Sequence, residues 1–391
     1  GKVNMALAPR QPGSSFKPIF YSQALDQRLI TPATILHDEP TDFGGWQPEN
    51  HDLRYRGNIT VRHALAQSLN IPAAEVMQKL GTHNASLAAQ RIGVSTVNQP
   101  DTYGLSLALG TAEVRLLDMT SAYAAFANRG LQYKPRLITH ISDKFNESVF
   151  NIQKREVVQA RSPEAAFLTS SILSDPAARA PTFGSSLNIP GRDVAVKTGT
   201  TNDNKDAWTI GYTPSVSVGV WVGNNENQPM DRLAGGSSAG KIWKDVMSQY
   251  LKGLPDEPFV KPAGVVQVQL CKGSGLRAVK GGTNTFKEYF IRGTEPAGTC
   301  NTERPKPQRK ATPPPQIDVQ QAQAPVVPEP DENRGRDVGG RGAGDDDGQD
   351  ELPDDDNSGP GGGSNPNPPQ PPGGPGDNPG PGPGRGRNSP P

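Results

Sequence analysis

Near Arg304 the chain changes character, and this change restricts the fold more than any other feature. From there to Pro391 it is built from Pro, Gly, Asp, Gln and Asn, without an aromatic residue. Such a stretch cannot bury enough apolar surface to offset the entropy of an ordered backbone, so 304–391 is predicted to be a disordered, linker-like tail. Any core must form earlier. Residues 1–255 mix apolar periodic segments with ordinary turn residues and are long enough to enclose one. Residues 256–303 carry a short β-rich pattern: Val266, Val268 and Leu270 alternate, and Tyr289-Phe290-Ile291 follows as a second strand.

Charge and hydropathy remove whole classes of function. The 40 basic and 40 acidic residues cancel, and no basic stripe stands out, so nucleic acid is not an expected partner. The longest apolar stretch, Val216 to Val222, is far too short to span a bilayer. No signal peptide precedes it, and a chain that starts at Gly1 reads as a piece of a longer protein. His37, His51, His63, His83 and His140 show no metal-ligand spacing, so neither a metal nor a cofactor is expected. The acidic runs at 345–347 and 354–356 read as solvated tail. Cys271 and Cys300 fit either a disulfide or two free thiols, and their spacing is wrong for zinc.

Along the first 255 residues the hydrophobic period changes from helical to strand-like. Pro12-Gly13 breaks the chain, and a helix is predicted from Ser14 through Phe16, Ile19, Phe20 and Leu25, with Pro18 tolerable in its first turn. Thr60 can cap a helix carrying Val61, Leu65 and Leu69, and Pro72 disfavours helix at the residue before it. Leu116, Met119, Tyr123 and Phe126 mark another helix, stopped by Gly130; Ser162-Pro163-Glu164 starts a third. Val194 to Val196, Trp208 to Tyr212 and Ser215 to Val222 read as consecutive strands, and Ile242, Trp243, Val246, Met247 and Tyr250 as a closing helix. Helices, antiparallel strands and a last helix predict an α+β domain.

Three short motifs then occur in order. Ser14-Ser15-Phe16-Lys17 fits S-x-x-K, Ser68-Leu69-Asn70 fits S-x-N, and Lys197-Thr198-Gly199-Thr200 fits K-T-G-T. A serine hydroxyl is a weak nucleophile until a base takes its proton. Lys17, three residues on and on the same helix face, can reach Ser14, and it acts as a base only where burial or a neighbouring cation such as Lys197 lowers its pKa. Ser68 offers a hydroxyl that can pass a proton, and Asn70 a donor and an acceptor for an amide substrate. On a strand edge Lys197, Thr198 and the Thr200 hydroxyl can hold a carboxylate, while Gly199 lets the backbone approach closely. Decoys exist: Ser238-Ala239-Gly240-Lys241 also fits S-x-x-K, and Ser186-Leu187-Asn188 fits S-x-N. Ser238 follows Lys197 and reads as a Gly-Ser loop; Ser186 lies in a Gly-Pro-bounded loop only eleven residues before Lys197.

Longer strings resemble class A penicillin-binding proteins. Arg10-Gln11-Pro12-Gly13-Ser14-Ser15-Phe16-Lys17-Pro18 is similar to that family's active-serine segment, and Gly45-Trp46-Gln47-Pro48-Glu49-Asn50 with Arg54-Tyr55-Arg56-Gly57 to the loop before its second motif. Leu107 to Thr111, Ala122 to Asn128, Lys197 to Asp203, Asp206-Ala207-Trp208 and Gly211-Tyr212 extend the likeness to about residue 300. It implies a β-lactamase/transpeptidase-like fold, an antiparallel sheet flanked by helices, with a small β-rich C-terminal module. It further implies a serine D-Ala-D-Ala transpeptidase that cross-links peptidoglycan stem peptides and is acylated by β-lactams. In it Ser14 is the nucleophile, and the N–H groups of Ser14 and Thr200 form the oxyanion hole. The family acts on the extracytoplasmic face of the membrane and carries its anchor, a glycosyltransferase domain and further strands before the active serine. The export-dependent family and the even cysteine count imply a Cys271–Cys300 disulfide. Arg115 departs from the small or hydroxyl residue the family often has there.

Two rivals share the scaffold: a hydrolase, either a β-lactamase or a D-alanyl-D-alanine carboxypeptidase, and a non-catalytic β-lactam sensor or scaffold. A β-lactamase needs a glutamate-held water, for which Glu75, Glu113, Glu147, Glu156 and Glu164 are the candidates, none in a short loop of the right type. A non-catalytic β-lactam sensor would keep Ser14 and Lys17. Trp46, Trp208 and Asp206 are read mainly as packing or structural residues.

Overall fold

Segregation of side chains to opposite faces builds the centre. Strands Ala195–Thr200, Asp206–Tyr212 and Ser217–Gly223 form an antiparallel sheet with Asp206–Tyr212 in the middle. Every residue of the middle strand is buried, as a strand covered on both faces must be. Trp208, Ile210 and Tyr212 point into the larger core, where the Tyr212 ring meets Tyr123 edge-on at 6.1 Å. Val196, with Val218 and Val220 beside it, faces the opposite way, toward Trp243 and Met247. The computed structural model describes residues 3–152, 156–201, 204–230, 235–279 and 284–300. The tail read as disordered, and Asn202 and Asp203, lie outside those residues.

Eight helices are described: α1 Lys17–Asp26, α2 Val61–Ala66, α3 Ile71–Leu80, α4 Thr82–Arg91, α5 Leu116–Ala127, α6 Pro163–Leu173, α7 Pro176–Phe183 and α8 Gly235–Leu251. Several predicted boundaries hold for the predicted reason. Thr60 caps α2 by accepting from the His63 N–H, and Ser162 caps α6 by accepting from the Ala165 N–H at 3.2 Å, ahead of Pro163. Others differ. The helix expected at Ser14 begins as a 3₁₀ turn, Gly13–Phe16, before α1. Pro72 does not end a helix; it sits in the first turn of α3, which starts at Ile71, where a missing N–H leaves no bond unmade. Ser238 is not in a loop but within α8, because Ala239 and Gly240 are buried and Trp243 anchors the same helix. Here packing overrides the weak helix propensity of the Gly-Ser segment. Arg115 occupies the N-cap of α5, where its side chain makes no cap bond; the Leu117 N–H donates instead to the Ala6 carbonyl at 3.1 Å.

The C-terminal module pairs Val265–Cys271 with Thr285–Ile291 antiparallel, with the short strands Arg277–Ala278 and Thr299–Cys300 alongside. The alternation read at Val266, Val268 and Leu270 belongs to its central strand. It packs on the body through Tyr289, edge-on to Phe167 at 5.3 Å, and through Phe259, 5.6 Å from Tyr212. Cys271 and Cys300, 29 residues apart, are joined as a disulfide. On the chain-entropy argument closing a loop of that size contributes about 3–4 kcal/mol. Replacing both cysteines by serine is therefore expected to lower the denaturant midpoint of the module's unfolding. Quantitative alkylation of both thiols in unreduced protein would contradict the bond.

Candidate functional site

Ser14 is half-buried on a turn held from four sides. The Ser15 hydroxyl donates to the Pro12 carbonyl at 2.7 Å, the Tyr123 hydroxyl to the Ser15 carbonyl at 2.7 Å, and the Trp208 indole N–H to the Gln11 carbonyl at 2.8 Å. Gly13 turns the chain with φ +54° directly against the Thr200 backbone. On the facing strand Gly199 is equally committed, since a Cβ there would collide with the Pro12 carbonyl oxygen. The Ser14 turn and the K-T-G-T strand are thus in backbone contact. In a 3₁₀ turn side chains three apart eclipse, which aligns Ser14 with Lys17.

Lys17 has no solvent exposure. Its side-chain nitrogen lies within hydrogen-bond reach of the Ser68 carbonyl at 2.8 Å, the Leu69 carbonyl at 3.0 Å and Asn70 Oδ1 at 2.7 Å. Ser68 follows α2 in a left-handed conformation, φ +66°, unusual for a residue with a Cβ. The same residue faces both lysines: its carbonyl takes Lys17, and its hydroxyl accepts from Lys197 Nζ at 2.7 Å. Lys197, 2% exposed, also donates to the Thr198 carbonyl at 2.9 Å, and Phe183 lies 6.0 Å below it. Thr198 is buried and Thr200 half-buried at the end of that strand. The structure therefore brings Ser14, Lys17, Ser68, Asn70 and Lys197 to one place.

Burial pushes both lysines down from their ordinary range. For Lys17 the fall is large, from desolvation first and the Lys197 charge second, with Asp38 opposing. For Lys197 desolvation and then the nearby Arg179 bring the value to about 7. A lysine whose proton is held less tightly is a better proton acceptor, and one at about 7 can carry either state.

Three contributors escape the motifs. Asp38, with no exposure, accepts from Asn50 Nδ2 at 2.6 Å and from the Arg56 N–H at 2.9 Å. Asn50 Oδ1 in turn accepts from the Asn70 N–H at 2.8 Å, which holds the Asn70 amide against Lys17. Arg179, buried on α7, donates to Asn188 Oδ1 at 2.8 Å. Asn50 lies inside a string singled out by resemblance; nothing local marks Asp38 or Arg179.

The decoys fall elsewhere. Ser186 is exposed and donates to the Phe183 carbonyl at 2.8 Å, and Ser238 lies within α8. Trp208 and Asp206 are structural: Asp206 is buried and accepts from Trp221 Nε1 at 2.8 Å. Trp46 is half-buried against Phe43, ring to ring at 6.1 Å. Glu75 accepts from the His37 N–H and pairs with Lys79 at 3.2 Å, Glu156 pairs with Arg136 at 3.7 Å, and Glu113 and Glu147 are exposed. Among the described residues no cluster of His, Cys, Asp and Glu forms a metal site.

Residues 3–248 match the penicillin binding protein transpeptidase domain, and 261–305 match the penicillin-binding protein 1A C-terminal domain. The chain belongs to the penicillin-binding protein transpeptidase family. Penicillin-binding protein 1A of Neisseria meningitidis is 34% identical over 318 residues, 78% of this chain and 38% of that protein. Penicillin-binding protein 2D of Bacillus subtilis is 33% identical over 322 residues, 78% of this chain and 45% of that one. This chain spans less than half the length of these relatives. The crystal structure of penicillin-binding protein 1A from Haemophilus influenzae superposes with a TM-score of 0.67 at 30% identity, covering 76% of this chain and 50% of that one. PonA1 from Mycobacterium tuberculosis, in complex with penicillin V, superposes with a TM-score of 0.60 at 29% identity, covering 67% and 74%. The helix-flanked antiparallel sheet expected from the sequence is the fold they share.

The Lys197 shift has a consequence for stability. Unfolded, its amine keeps a proton to about 10.5; folded, it loses it near 7, so between those values the unfolded chain binds more protons. Unfolding free energy is then expected to rise with pH across that window, with Lys17 acting in the same direction. Denaturant titrations at stepped pH check it: Lys197→Met should flatten the rise, and an unchanged slope would remove Lys197 as its source.

Proposed function

We propose that this chain is a peptidoglycan D,D-transpeptidase working through an acyl-enzyme on Ser14, and that β-lactams acylate the same hydroxyl. The observation that carries the reading is Lys17: unexposed, held by two carbonyls and an amide oxygen, and one 3₁₀ turn from Ser14. The neutral amine takes the Ser14 proton as Oγ attacks the carbonyl carbon of the penultimate D-alanine. The oxyanion is received by the N–H groups of Ser14 and Thr200, donors of a kind whose individual loss costs about 10²–10³ in rate. The C–N bond then breaks, and the proton reaches the leaving D-alanine amine from Lys17 by way of the Ser68 hydroxyl. An amine of a second stem peptide attacks the ester by the reverse route and restores the Ser14 hydroxyl. Lys197, Thr198 and Thr200 hold the terminal carboxylate, with the Gly199 backbone alongside.

The penicillin V complex of a relative supports the β-lactam part of this reading. Relatives that extend well beyond the matched part support its being the transpeptidase part of a larger, bifunctional glycosyltransferase and transpeptidase acting at the extracytoplasmic membrane face. The chain then divides into a catalytic body, 1–255, a small module, 256–303, and a tail, 304–391, a division supported by the two family matches. Glu75 and Glu156 are paired and Glu113 and Glu147 are exposed, which supports an amine acceptor over hydrolysis by a glutamate-held water.

Labelled penicillin followed by peptide mass spectrometry is expected to place the adduct on Ser14 and to find none in Ser14→Ala; an adduct on Ser238 would overturn the assignment. Lys17→Arg should be as damaging as Lys17→Ala, each slowing acylation by about 10²–10⁴-fold, because a guanidinium cannot give up its proton. Near-normal acylation in Lys17→Arg would refute the base. After removal of excess drug the adduct should persist for minutes to hours; loss within seconds would mark a β-lactamase.

A further inference from the structure

The small module reaches the site through one buried carboxylate. Glu288, 2% exposed on the module strand Thr285–Ile291, receives Arg62 in a two-pronged pair: Nε to Oε2 at 2.7 Å and Nη2 to Oε1 at 2.6 Å. Such planar pairs are directional as well as strong. Arg62 lies on α2, six residues before Ser68, and also donates to the Ser171 carbonyl at 2.9 Å and to Asp175 Oδ2 at 3.2 Å.

Two arms leave this arginine. One leads along α2 and the turn after it to Ser68, whose N–H donates to the Leu65 carbonyl at 3.1 Å and whose left-handed backbone must be held by its surroundings. The other arm runs through Asp175, whose second oxygen caps α7 by accepting from the Ala177 and Ala178 N–H groups at 3.0 and 2.9 Å. That helix carries Arg179, whose charge acts on Lys197, and Phe183, whose ring lies under the Lys197 ammonium. The arms meet again where Lys197 Nζ contacts the Ser68 hydroxyl at 2.7 Å.

Resting on the transpeptidase reading above, we propose that Glu288 is a positioning residue for acyl transfer: by holding Arg62, the C-terminal module sets the Ser68 hydroxyl against Lys197. A module that served only to extend the fold would need no buried charge, since an apolar pair of similar volume serves docking as well or better. Arg62 instead joins four elements, α2, α6, the N-terminus of α7 and the module, at a point from which both halves of the proton-relay contact are displaced together.

The test separates docking from positioning in the whole chain. In Arg62→Leu/Glu288→Leu the buried charges leave together, so the thermal midpoint should stay near that of the unaltered protein. Two readouts are then expected to change. Amides of Gln67, Ser68 and Leu69 should exchange with solvent faster, and the limiting rate of acylation by a fluorescent penicillin should fall by about 10- to 100-fold while its initial affinity changes little. Unaltered exchange at these amides together with unaltered acylation would overturn the proposal. Should the double variant fail to fold, Glu288→Gln keeps the volume and one hydrogen bond, and the same two readouts decide, with smaller expected changes. If the unaltered protein takes no label at all, it is the transpeptidase reading that fails; amide exchange in the variants still decides whether Glu288 holds the Ser68 turn.

Discussion

Removing a lysine amine from water is among the more expensive things a fold can do, and this one does it twice within reach of one serine. An unpaired ammonium in an apolar interior is so costly that it sheds its proton instead. Lys17 is provided with three oxygens, from Ser68, Leu69 and Asn70, none of them a carboxylate. Neutral oxygens hold the nitrogen in place without restoring the favourable energy of a full counter-charge, so position is secured while basicity is kept. The buried carboxylate that acts on Lys17, Asp38, is turned toward Asn50 and the Arg56 N–H. It acts on Lys17 only at a distance and only partly opposes the shift.

That arrangement demands rigid walls, and the fold supplies them as backbone contacts. The Ser14 turn is fastened by the Trp208 indole from the sheet and the Tyr123 hydroxyl from α5, two long side chains whose rings are already locked in the core. Donors aimed at a developing charge are useful only if they do not move to meet it. The left-handed Ser68 belongs to the same logic. A strained residue persists where its neighbours over-determine it, and Ser68 is bound through N–H, carbonyl and hydroxyl at once.

What was legible in the sequence was the chemistry carried by local patterns. Order set Ser14 apart from Ser238, which follows Lys197, loop setting set Ser68 apart from Ser186, and the strand at Ser217–Gly223 followed from a β-branched run bounded by turns. Caps at Thr60 and Ser162 were readable because a cap bond spans only three residues. The missed features are long-range. Asp38 meets Asn50 across 12 positions and Asn50 meets Asn70 across 20, and Arg179 approaches Lys197 from a helix whose Asp175 cap was passed over. Pro72 was misjudged because its effect depends on whether the helix has already begun, and Ser238 because packing against Leu187 and the sheet outweighed a Gly-Ser composition.

The two lysines also constrain one another. Charge on Lys197 lowers the proton affinity of Lys17, and the influence is mutual by the symmetry of Coulomb's law. A group poised at about 7 is the one most easily moved by whatever binds beside it. On the transpeptidase reading the arriving carboxylate stabilises the protonated form of Lys197. Protonated Lys197 in turn favours the neutral form of Lys17, so the base is better prepared for Ser14 when the substrate's anion is in place. A carboxylate pointed elsewhere leaves Lys197 free to lose its proton and forfeits that help. Recognition of the peptide terminus and activation of the nucleophile are thereby coupled across the Ser68 hydroxyl, without either lysine leaving its pocket.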